Sequence, residues 1–75
     1  MVYSDLEVIL KDDCNCSVVS DKNHSNGNRS VIFENHSNGN VFPTTFHPDW
    51  EVMPEILAKI CEELRLDPHP SLRWY

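Results

Sequence analysis

The chain has 75 residues, 40% of them apolar, and carries six lysines and arginines against twelve aspartates and glutamates, a formal charge of −6. That length supports one small core and excludes an enzyme with separate cofactor and substrate lobes, while the apolar share is too high for wholesale disorder. No apolar run is longer than four residues, so neither a bilayer span nor a secretory leader is expected, and a cytoplasmic protein is the default.

In chain order, Ser4-Asp5-Leu6-Glu7 has the pattern of a capping box. Ser4 would be the N-cap, with Glu7 three residues on and Tyr3 and Val8 at the staple positions. Leu6, Ile9 and Leu10 share one face at helical spacing, which predicts a short helix over residues 5–12. Asp12 and Asp13 sit badly at the negative end of the dipole and should stop it.

Cys14, Cys16 and Cys61 are three in number and cannot all pair within one chain, so they are expected as thiols in a reducing compartment. Cys61 falls beside Ile60 at a helical position and reads as a small core residue. Cys14-Asn15-Cys16 is tighter than the C-x2-C loop of structural zinc sites. Together with His24 and His36 it makes four ligands on paper, although neither histidine has recognised ligand spacing; the expectation is that no metal is bound.

Three strands follow, over residues 16–20, 29–34 and 41–46. Val31 and Phe33 alternate with Ile32, so the middle strand has a core face and an outer face. Pro43 lacks an amide donor and assigns the third strand to a sheet edge. Asn26-Gly27 and Asn38-Gly39 between the strands read as type I′ hairpin turns. Both belong to a hexapeptide, Asn-His-Ser-Asn-Gly-Asn, that occurs at residues 23–28 and again at 35–40. The plain reading is a duplicated polar hairpin loop, since these residues are turn formers. The sharper reading is that His24 and His36 project from one end of the sheet and form a site.

Pro54 suits the first helical position, and Ile56, Leu57, Ile60, Cys61 and Leu64 form a stripe at helical spacing opposite Glu55, Lys59, Glu62 and Glu63. A second helix is therefore expected over residues 54–65, ended by Asp67-Pro68-His69-Pro70. Residues 1–67 then make one α+β domain of α-β-β-β-α order, a three-stranded antiparallel sheet with both helices on one face. Residues 68–75 form a Pro-rich apolar tail whose Leu72, Trp74 and Tyr75 are expected to fold back onto it.

In this order of elements the sequence resembles the HicA family, small toxins of bacterial toxin–antitoxin pairs with a double-stranded-RNA-binding-like fold. Residues 32–40 look like the family's strand and polar-Gly turn, residues 41–47 like its third strand, and Pro54-Glu55-Ile56-Leu57 like the start of its closing helix. The resemblance implies an endoribonuclease that cleaves or binds mRNA without metal or other cofactor, and a HicB-like antitoxin that masks it. A histidine is the family's essential residue for cleavage, and an imidazole can exchange a proton with a ribose 2′-hydroxyl near neutral pH. In the register set by Asn38-Gly39 that position falls on residues 29–31, which hold no histidine. The alternative register, at Lys22-Asn23-His24-Ser25, makes His24 the candidate base, with His36 second to it. Lys22 and Arg29, with Asn28 alongside, are the cations and polar group expected to meet phosphate.

Two other readings stand beside this one. Both histidines can be plain solvated loop residues, with His47 closing a strand and His69 lying in the tail. A net-negative field repels nucleic acid and suits a basic partner, so the alternative function is a non-catalytic acidic protein-interaction module on the same fold.

Overall fold

The computed structural model describes residues 1–72 of the chain. Its order is α1 (Tyr3–Asp13), β1 (Cys16–Asn23), β2 (Arg29–Asn35), β3 (Val41–Phe46) and α2 (Pro54–Glu63). The strands form one antiparallel sheet in the order β1-β2-β3. No helix among the described residues is long and apolar enough to cross a membrane.

Register decides which side chains share a face. Val31 lies opposite Thr44, Phe33 opposite Phe42, and Arg29 opposite Phe46, on the side that packs against the helices. Ser30 opposite Thr45, Ile32 opposite Pro43, and Glu34 opposite Val41 make the other side, which no helix covers. The core joins Leu6 and Leu10 of α1, Val31, Phe33 and Phe46 of the sheet, and Leu57, Ile60 and Cys61 of α2. Burying each of the larger side chains contributes about 1.5–3 kcal/mol. Tyr3 stacks on Phe46 with ring centroids 4.4 Å apart and planes 5° from parallel, which fastens the start of α1 to the end of β3. Leu72 is also buried, so the tail returns to the core at least that far; Trp74 and Tyr75 lie outside the described residues.

The α1 boundary differs from expectation in an instructive way. The helix begins at Tyr3, so Ser4 lies inside it and makes no capping bond, and Val8 is exposed rather than stapled to the buried Tyr3. The amides that a cap would satisfy donate elsewhere: Tyr3 N–H to the Trp50 carbonyl at 3.0 Å and Ser4 N–H to the Pro48 carbonyl at 3.1 Å. A chain segment forty-odd residues away replaces the local cap, helped by the bridge between Val2 and Glu51. At α2 the helix ends at Glu63, with Leu64 as C-cap, and Ile56 lies at the exposed margin of the stripe rather than within it.

β1 runs three residues further than expected, to Asn23, and bulges between Val18 and Ser20. The bulge leaves Val19 as the extra residue, a common way of blunting an edge strand. β3 has the expected bounds, with Pro43 on the edge strand.

The two copies of the hexapeptide fold differently. In the first, His24 and Asn28 close a three-residue loop: His24 N–H donates to the Asn28 carbonyl at 2.8 Å and Gly27 N–H to the His24 carbonyl at 3.1 Å. In the second, the closing pair is Asn35 and Asn40, and the loop holds four residues. Neither is a type I′ turn, because Gly27 and Gly39 have positive φ while Asn26 and Asn38 do not. The divergence has a tertiary cause. Asn35 is buried, its Nδ2 donates to the Leu64 carbonyl at 2.9 Å, and its Oδ1 accepts from Ser37 N–H. That anchor sets where the second loop begins, and Asn23 has no such partner among the described residues.

Candidate functional site

Consecutive hairpins of a meander turn at opposite ends of the sheet, and the register shows it here: Cys16 pairs with Asn35 at one end, and Asn23 with Arg29 at the other. His24 and His36 therefore do not share one end, contrary to the sharper expectation. Seven residues of strand separate the two loops, roughly 20 Å of extended chain. The zinc arrangement of Cys14, Cys16, His24 and His36 is ruled out by the same geometry, and no group of three potential metal ligands comes together among the described residues. All three cysteines are free. Burial pushes the Cys16 and Cys61 thiols up to about 11, and burial beside Asp13 and Asp67 also raises Cys14.

Each histidine nonetheless reaches a serine on the uncovered sheet face. His36 Nε2 lies 2.7 Å from Ser17 Oγ, and its Nδ1 lies 3.5 Å from Glu34. His24 Nε2 lies 2.8 Å from Ser30 Oγ, which in turn lies 2.8 Å from Thr45 Oγ1. A hydroxyl relay thus crosses from the first loop over β2 to β3. With the ring proton on Nε2, the imidazole donates to Ser30, Ser30 donates to Thr45, and Nδ1 carries the lone pair. In the sequence Ser30 stands out only as part of the 29–31 position that lacks a histidine, and Thr45 only as a residue of the third strand. Alternation from Ile32 places Ser30 on the outer face, but nothing in the sequence pairs it with a histidine six residues earlier.

A shallow groove of about 520 Å³ adjoins this relay, lined by Ser20, Lys22, Ile32, Pro43 and the two relay residues. Lys22 pairs across the sheet with Ser30, so its amine belongs to the same face, and it forms no ion pair among the described residues. Asn28 contributes through its backbone, closing the His24 loop, and its own N–H donates to Asn26 Oδ1 at 3.0 Å.

Arg29 behaves otherwise. It lies on the core side, with Nη2 2.9 Å from Glu7 and 2.7 Å from Asp21, and its guanidinium sits 5.7 Å from the centre of the Phe46 ring. The hydrogen bonds Arg29 donates hold the Asp21 carboxyl below its usual range, and donating to Asp21 and Glu7 raises Arg29. Its charge is spent within the fold, and meeting a phosphate would require both pairs to open.

The two remaining histidines brace loops. His47 packs over the His24 loop: a Cβ on Gly27 would lie 3.1 Å from His47 Nε2. Its ring also stacks on Trp50 with centroids 6.2 Å apart. His69 Nε2 lies 3.0 Å from Asp13, tying the tail to the end of α1. Among the described residues Lys59 and Arg65 form no ion pair; Arg73 lies outside them. Compared with protein-family models, curated proteins and solved structures, the chain finds no match in any of the three.

Proposed function

We propose that the chain is a HicA-like small protein that acts on RNA, with His24 as its proton-transfer group. The observation that carries this reading is the placement of the His24 imidazole at the start of β2, hydrogen-bonded to Ser30 on an uncovered sheet face. That is the neighbourhood in which the family resemblance puts the essential histidine. Here a loop residue reaches it from outside the strand. On this reading His24 Nδ1 accepts the ribose 2′-hydroxyl proton as that oxygen attacks the adjacent phosphorus, and water protonates the departing 5′-oxygen. Ser30, backed by Thr45, orients the ring by holding Nε2, and Lys22 offsets charge developing on the phosphate. A HicB-like partner would neutralise the activity by covering this face. Induced expression in a bacterial host tests the reading: the parent chain should arrest growth, and His24→Ala should relieve the arrest at equal protein level.

A second reading has an observation of its own. With Arg29 paired to Glu7 and Asp21, Lys22 is the cation left at the groove on a chain of charge −6. Such a field suits a basic protein surface better than a polyanion. On this second reading the chain is a non-catalytic acidic interaction module, and both the parent and His24→Ala would leave growth unchanged.

A further inference from the structure

The segment that joins β3 to α2 carries apolar side chains on the surface and is rigidly held beneath them. Trp50 and Met53 are 55% and 57% exposed, and Ile56, one helical turn after Met53, is 36% exposed, as is Met1. Their backbone is fixed on the inner side. Trp50 N–H donates to the His47 carbonyl, its carbonyl accepts from Tyr3, and Val52 N–H donates to the Met1 carbonyl at 2.8 Å. Val52 itself is buried, and the terminal ammonium pairs with Glu51 at 3.0 Å. Large apolar groups displayed on an immobilised backbone lose little entropy when covered, which is the condition for a docking site.

Charge says what covers it. Between residues 47 and 59 the sequence has Asp49, Glu51 and Glu55 against a single cation, Lys59. Glu51 meets the chain's own terminal ammonium, whereas Asp49 and Glu55 reach no lysine or arginine among the described residues. Nucleic acid is disfavoured beside these carboxylates, although an exposed indole would otherwise suit a base.

We propose that Trp50, Met53 and Ile56, with Asp49 and Glu55 at their margin, form a docking surface for a cationic amphipathic segment of another protein. Aliphatic side chains of that segment cover the indole and thioether, and its lysines or arginines meet the two carboxylates. His47, which stacks on Trp50 and packs over the His24 loop, borders both this surface and the relay, but use of the surface does not depend on catalysis.

The test uses the full chain carrying Trp74→Phe, so that Trp50 is the sole indole, and follows its emission. The probe is a synthetic helical peptide of alternating leucine and lysine faces; a leucine–glutamate peptide and oligouridylate serve as comparisons. The lysine peptide should shift the emission to the blue and saturate, with binding weakening as salt rises. Trp50→Ala, followed by a fluorophore on the peptide, should weaken binding about tenfold or more, as for a buried aromatic anchor. Asp49→Asn with Glu55→Gln should weaken it similarly, while the equal charge change Glu62→Gln with Glu63→Gln should not. Far-ultraviolet circular dichroism verifies that each variant keeps the fold. Equal weakening by both charge pairs, undiminished binding by Trp50→Ala, or preferential saturation by the glutamate peptide or by oligouridylate would each overturn the proposal.

Discussion

Arg29 Nη2 lies 2.9 Å from Glu7 Oε1, joining the first residue of β2 to the first helix across 22 positions of sequence. With Asp21 as its second partner, Arg29 is a strut of the fold. Arg29→Gln should therefore lower stability by about 1 kcal/mol, the scale of a partly exposed charge pair. The pH dependence follows from Asp21, whose folded pKa is depressed by Arg29. Its contribution is complete above the unfolded value of about 4 and is lost as pH falls through the folded value. Urea midpoints taken from neutral pH into acid should fall for the parent chain and fall less for Arg29→Gln.

The repeated hexapeptide offers an internal comparison, because Asn23 and Asn35 occupy the same place in two identical sequences. Asn35→Ala removes the bond to the Leu64 carbonyl, which keeps Asn38 Nδ2 at 3.1 Å, and also the bond that Asn35 Oδ1 accepts from Ser37 N–H; together these should cost about 1–2 kcal/mol. Asn23→Ala at the exposed site should change stability by less than about 0.5 kcal/mol. Equal urea midpoints for the two variants would contradict the anchoring role given to Asn35.

The glycines of the two loops differ in the same spirit. Both have positive φ, so alanine at either is strained, by about 1 kcal/mol. Only Gly27 also has His47 Nε2 within 3.1 Å of the added carbon, while Gly39 faces open space. Gly27→Ala should therefore lower the melting temperature more than Gly39→Ala. Adding His47→Ala should remove the excess in a double-mutant cycle.

The cysteines predict an alkaline limit. Cys16 and Cys61 are raised from 9.0 to about 11 in the folded chain. Between those values the unfolded chain sheds its thiol protons first, so stability should fall as pH rises through that window. Substituting both residues by alanine should flatten the fall, read as the slope of urea midpoint against pH. At neutral pH a thiol reagent should modify the half-buried Cys14 before the other two.

Much of the architecture is legible in the sequence because periodicity reports it directly. The Val31–Phe33 alternation, the Leu57–Ile60–Leu64 stripe and Pro43 on an edge all hold in the structure. What was illegible depends on distant chain. The Ser4–Glu7 pattern names a local cap, but the carbonyls of Pro48 and Trp50 supply the acceptors and shift the helix start to Tyr3. Asn-Gly names a turn, but the Leu64 carbonyl decides how the second loop closes. The candidate site follows the same rule. His24 and Lys22 were visible as chemistry, Arg29 looked like a free cation until Glu7 and Asp21 were placed beside it, and Ser30 and Thr45 gained a role only through register.

The proposed proton transfer by His24 is tested directly by cleavage of a single RNA by the purified chain in the presence of a chelator. Cleavage is expected from the parent and from His36→Ala, with a loss of about a hundredfold or more in His24→Ala and an intermediate loss in Ser30→Ala. An intact substrate with the parent chain, or equal rates for the parent and His24→Ala, would contradict it.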